Sequence, residues 1–90
     1  MTNDQKHAVI SKYRYALTAP QVTALRCDVK DTFPSHLTMT RHILWMLDEM
    51  TAMIPDQTKH DKFYRWLGFV QGWLWTSHKY SIDEMREDNA

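Results

Sequence analysis

The sequence has little of what most catalytic sites and most β-structure require. A single cysteine, Cys27, excludes an internal disulfide and a thiolate zinc site built within the chain. Such sparing use fits a reducing compartment. Only two glycines and three prolines occur, and neither Asn-Gly nor Asp-Gly is present, so paired strands lack their usual turn chemistry. No apolar run approaches the roughly 18–20 residues that cross a bilayer, and the stretch Met1-Thr2-Asn3-Asp4-Gln5-Lys6-His7 is polar. These features read as a cytoplasmic protein with no membrane span. Neither sign of charge is in excess, since 11 Lys and Arg stand against 11 Asp and Glu. That argues against a protein held to nucleic acid mainly by phosphate neutralisation, and equally against an acidic DNA mimic.

What the chain does have is helix-forming and aromatic sequence. Ninety residues suit one domain, residues 1–90. Four Trp, three Phe, four Tyr and six Met supply the large side chains that so small a core needs, because each aromatic ring buries about 150–250 Å². A first helix over about 3–17 carries a thin stripe, Ala8, Ile10, Tyr13 and Leu17. Pro20 opens a second over about 20–32, with Val22, Leu25, Val29 and Phe33 on one face. The clearest helix covers about 37–54, where Met39, Ile43, Met46, Leu47, Met50, Met53 and Ile54 form a broad stripe ended by Pro55. Asp56-Gln57-Thr58 then offers N-caps for a helix over about 58–77. A short terminal helix follows Ser81, which has Glu84 three residues on in the capping-box pattern. The expected architecture is all-α: a small bundle of four to five helices, with 37–54 and 58–77 forming a central antiparallel hairpin across the Pro55 turn.

The helix over 58–77 is the most distinctive stretch. Phe63, Trp66, Leu67, Val70, Trp73 and Leu74 make a wide apolar face, and Phe69 and Trp75 extend it around the cylinder. Gly68 and Gly72 share a face at a cost of about 1 kcal/mol each relative to Ala. That cost predicts a compensating close approach by another backbone, most simply the 37–54 helix.

The run Arg65-Trp66-Leu67-Gly68-Phe69-Val70-Gln71-Gly72-Trp73-Leu74-Trp75, with Tyr80-Ser81-Ile82-Asp83-Glu84-Met85-Arg86-Glu87-Asp88-Asn89 after it, resembles a family of small accessory proteins of tailed bacteriophages and enterobacterial prophages. The likeness covers about the C-terminal half and takes in Trp45-Met46 more loosely; the first 35 residues have no part in it. It implies a phage-encoded accessory protein working in the bacterial host cytoplasm, and it brings no established catalytic residues.

Candidate chemistry is thin. His7, His36, His42, His60 and His78 include no pair spaced i, i+4 around a Glu, so neither a metal nor a cofactor is expected. Cys27 lies between Arg26 and Asp28 without a nucleophile motif, and Asp48-Glu49 and Asp83-Glu84 are neighbours that do not face each other on a helix. No catalytic residue is assigned, and the chain reads as a non-enzyme. Function is sought in the aromatic cluster, which is either core or interface. In the second case Trp66, Phe69, Trp73 and Trp75 bind a host or phage protein, since Trp and Tyr are enriched at binding hot spots. A two-fold homodimer with Trp73 or Trp75 near its interface is expected on the same grounds. The alternative is a small nucleic-acid-binding regulator using Lys59, Lys62 and Arg65, aided by Arg41 or Lys79, which the neutral charge balance disfavours.

Overall fold

Four helices make up the α-structure of the described residues: α1 (Asn3–Leu17), α2 (His36–Met53), α3 (His60–Thr76) and α4 (Ile82–Asp88). A single 3-10 turn, Gln57–Lys59, leads into α3, and no strand occurs among the described residues. The computed structural model describes residues 1–17, 22–28, 30, 32, 34–77 and 80–89.

Local chemistry accounts for the helix ends. Ser35 opens α2, its Oγ accepting the Thr38 N–H at 3.1 Å. The helix stops just ahead of Ile54-Pro55, where proline can donate no ladder hydrogen bond. Asp56 then caps the turn, accepting from the Thr58 N–H at 3.0 Å and the Thr58 hydroxyl at 2.6 Å. At α4 the capping box forms as expected: Ser81 Oγ accepts the Glu84 N–H at 3.1 Å and Glu84 Oε1 accepts the Ser81 N–H at 3.3 Å.

Ring pairs fix the direction of the central hairpin. Trp45 lies against Trp66 with centroids 5.7 Å apart, and His36, at the start of α2, stacks on Trp73 near the end of α3 at 5.5 Å. Residue numbers rise on one helix as they fall on the other, so α2 and α3 are antiparallel. Between them lie Ile43, Leu47, Met50, Phe63, Leu67, Val70 and Leu74, joined by Val9, Ile10, Tyr13 and Leu17 of α1. Along α3, α1 runs in the same direction: Lys6 reaches Phe63 and Tyr64, and Tyr13 reaches Gln71. The stripe of α1 is displaced from its expected register, because Val9 is buried and Ala8 is exposed.

A polar clasp holds α4. The Tyr13 hydroxyl donates to Asp88 Oδ2 at 2.7 Å, and Lys12 Nζ donates to Asp88 Oδ1 at 2.8 Å. Gln71 Nε2 donates to the Tyr13 oxygen at 3.0 Å and to Asn89 Oδ1 at 2.8 Å, while Asn89 returns a bond to Gln71 Oε1 at 3.2 Å. Tyr13 is fully enclosed and Gln71 is buried, so the polar atoms of these two side chains depend on this cluster for their hydrogen bonds.

Two expectations are corrected. The helix over 20–32 does not form, because residues 22–28 carry no regular structure. Their backbone donors turn to α2 instead: the Leu25 N–H meets the Arg41 carbonyl at 3.1 Å and the Cys27 N–H meets His42 Nδ1 at 3.0 Å. Asp28 Oδ1 accepts the Lys30 N–H at 2.9 Å, a side-chain turn that competes with helix. Pro20, Val29 and Phe33 from that expected helix lie outside the described residues. The close backbone approach at Gly68 and Gly72 is also absent: a Cβ at either position would meet nothing within 4 Å. With 3.6 residues per turn, both glycines fall on the side of α3 away from Phe63, Leu67 and Leu74, and both are exposed.

Candidate protein-docking groove

Seen down its axis, α3 divides its aromatic residues between two flanks. Phe63, Leu67, Val70 and Leu74 point to the core. About 60–140° to one side lie Lys62, Trp66, Phe69 and Trp73, and about 100° to the other lies Trp75. The four expected interaction residues are therefore not one patch. Trp66, Phe69 and Trp73 share the flank beside α2, whereas Trp75 borders a shallow recess of about 290 Å³ next to Ile82 and Met85 of α4.

The flank beside α2 is the richer. There Trp66 and Phe69 line a groove of about 390 Å³ with Met39, His42, Trp45 and Met46 of α2, closed on one side by Arg26-Cys27-Asp28. Trp45 is its floor, in contact with Trp66, with the His42 ring at 5.3 Å and with the Arg26 guanidinium at 5.2 Å. Lys62 lays its ammonium over Trp66 at 5.1 Å. Phe69 completes the edge with 54% of its surface exposed, which makes the ring continuous with the apolar wall of Trp45 and Trp66. Further along the flank, Trp73 is partly covered by its stack on His36.

His42 and Cys27, which sequence spacing did not connect, meet at the wall of this groove. The contact is made by the Cys27 backbone N–H, which occupies the Nδ1 lone pair, while Sγ donates to the Asp28 carbonyl at 3.4 Å. The Nδ1 atom is thus unavailable as base to the thiol. Burial, and then the Arg26 charge, hold the His42 pKa below its ordinary value of 6.5, and because Nδ1 accepts from the Cys27 N–H the proton of the neutral ring sits on Nε2.

The basic residues expected at the start of α3 do not form a shared platform. Lys59 lies in the 3-10 turn, Lys62 is folded onto Trp66, and Arg65 lies about a further 60° around the helix, facing water. Arg41 is engaged by Thr23, its Nε donating to the Thr23 carbonyl at 3.2 Å; Lys79 and His78 lie outside the described residues. Among the described residues no group of three His, Cys, Asp or Glu side chains is placed to hold a metal ion. Nor is any described helix long and apolar enough to cross a membrane.

Trp45, His42 and Arg26 are not among the residues that the sequence points to as an interaction surface, His42 being weighed there only as a metal ligand. Trp45 and His42 are three apart and flank the α2 stripe, a signal that was legible; Arg26 reaches the groove only because residues 22–28 leave the helical path. No family model, no curated protein and no solved structure matches the chain.

Proposed function

We propose that this protein is a non-enzymatic accessory factor that docks a segment of a host or phage protein into the groove between α2 and α3. The observation that carries this reading is the half-exposed Phe69 ring at the edge of an aromatic wall made by Trp45 and Trp66. Arg26 over Trp45 and Lys62 over Trp66 border that wall, which suits a partner segment with an apolar anchor and acidic flanks. The likeness of the run from Arg65 to Asn89 to phage and prophage accessory proteins supports a role in the bacterial cytoplasm. A homodimer is proposed separately for the other flank, where Trp75 and Ile82 are 52% and 47% exposed.

The test is affinity capture from uninfected and phage-infected bacterial lysates, with wild type and Phe69→Ala in parallel. A partner recovered by wild type and lost with Phe69→Ala is expected. Equal recovery by both, or recovery of nothing but nucleic acid, overturns the groove reading; the second result favours the regulator built on Lys59, Lys62 and Arg65.

A further inference from the structure

A second cavity, of about 550 Å³, shares no residue with the aromatic groove. It opens where the first turns of α1 meet the connection between α2 and α3, and Lys6 forms part of its wall. Lys6 is only 5% exposed. A lysine is almost never withdrawn so far from water without a counter-charge. Yet no carboxylate pairs with Lys6 among the described residues. Its ammonium rests instead 5.1 Å from the Phe63 ring and 5.4 Å from the Tyr64 ring, with one polar contact, 3.3 Å to His60 Nδ1.

An ammonium carries three N–H donors. The His60 contact uses one, which makes Nδ1 the acceptor and leaves the ring proton on Nε2, and the ring faces cannot accept the others with the strength of an anion. Asn3, Gln57 and Thr58, which also line the cavity, add neutral polar groups around the entrance. Two carboxylates limit how much negative charge the cavity tolerates. Asp56 is held ionised by its bonds to Thr58, which lower its pKa, and Asp61 stands in the first turn of α3. Any anion would face both carboxylates, a dianion with twice the repulsion that a single carboxylate meets, and Met1 lines the cavity beside Lys6.

We propose that this cavity binds a small monocarboxylate, whose oxygens accept from Lys6 Nζ and supply the counter-charge that the buried lysine lacks. The test is a titration of the isotope-labelled full chain at pH 7, following the Lys6 side-chain methylene and His60 ring signals by NMR. The probes are acetate, inorganic phosphate, and chloride at matched ionic strength. Acetate is expected to give saturable shifts at both residues, with chloride giving none and phosphate weaker ones. Lys6→Met, which keeps the apolar stem, is expected to weaken the acetate response at His60 by about tenfold or more while circular dichroism stays helical. Absence of saturation in the wild type overturns the proposal, and so does a response to phosphate equal to that to acetate. An undiminished response in folded Lys6→Met does the same. If Lys6→Met does not fold, the wild-type titration decides alone.

Discussion

The Tyr13 hydroxyl and the Asp88 carboxylate lie 2.7 Å apart across 75 positions of sequence, and this bond ties the first helix to the last. Removing the hydroxyl leaves Asp88 with one donor fewer and Gln71 Nε2 without its Tyr13 acceptor. Tyr13→Phe is therefore expected to lower unfolding free energy by about 1–3 kcal/mol, the usual penalty of stranding buried polar partners. Urea denaturation measures the loss, and amide exchange is expected to quicken first over 82–89.

The same hydroxyl sets an alkaline limit. Burial raises the Tyr13 pKa far above its ordinary 10.0, and acceptance by Asp88 adds to the shift against the opposing Gln71 contact. A folded-state pKa above the unfolded one means full stability below about pH 10 and a progressive loss above it. Absorbance at the phenolate band is expected to show one of the four tyrosines ionising only as the chain unfolds.

His42 gives a limit of the other sign. Its folded pKa lies below the unfolded 6.5, so the unfolded chain takes up a proton first as acid is added. Stability is present above pH 6.5 and declines below it until the folded ring also titrates. His42→Asn, whose side-chain oxygen can still accept the Cys27 N–H, is expected to flatten that part of the stability profile.

Because nothing lies within 4 Å of a Cβ at Gly68 or Gly72, alanine fits both sites. Gly68→Ala and Gly72→Ala are each expected to raise stability by about 0.5–1 kcal/mol through helix propensity and the smaller entropy of the unfolded chain. Thermal melts of the single variants and of the pair check this, with additive gains expected.

Phe69 and Trp75 are half-exposed on opposite flanks of α3, whereas Leu67 on its core face is 2% exposed. Phe69→Ala and Trp75→Ala are expected to leave the fold within about 1 kcal/mol of wild type, while Leu67→Ala costs about 2–5 kcal/mol. Light scattering separates the roles further. A wild-type dimer that Trp75→Ala turns into a monomer supports an interface beside α4, and a wild-type mass of one chain removes it.

Helices that end in strong local chemistry were the legible part of this fold. Pro55 stops α2, and the reciprocal Ser81 and Glu84 bonds open α4; neither needs a distant partner, so the chain order alone exposes them. The stretch 22–28 has an apolar spacing that suits a helix, while the amides of Leu25 and Cys27 are satisfied by Arg41 and His42, which no local pattern foretells. Gly68 and Gly72 misled for a related reason. Two glycines four apart suggest a crossing helix, but identical spacing arises on a surface that nothing covers. Helical spacing puts Trp66 on the apolar face and Phe69 at its extension together with Trp75, yet the groove that Trp66 and Phe69 line exists only once Trp45 and Arg26 arrive from elsewhere.

The short turn between α2 and α3 also bears on the order of folding. Trp45 and Trp66 meet after closure of a small loop, whereas Tyr13 and Asp88 must close nearly the whole chain, and the entropy of closure rises with the span. The hairpin is accordingly the expected nucleus. Lesions at its Trp45 and Trp66 contact should slow folding, and lesions at the Tyr13 clasp should mainly hasten unfolding. A rate measurement on the two variants would thus tell early contacts from late ones in a protein whose equilibrium stability reports only their sum.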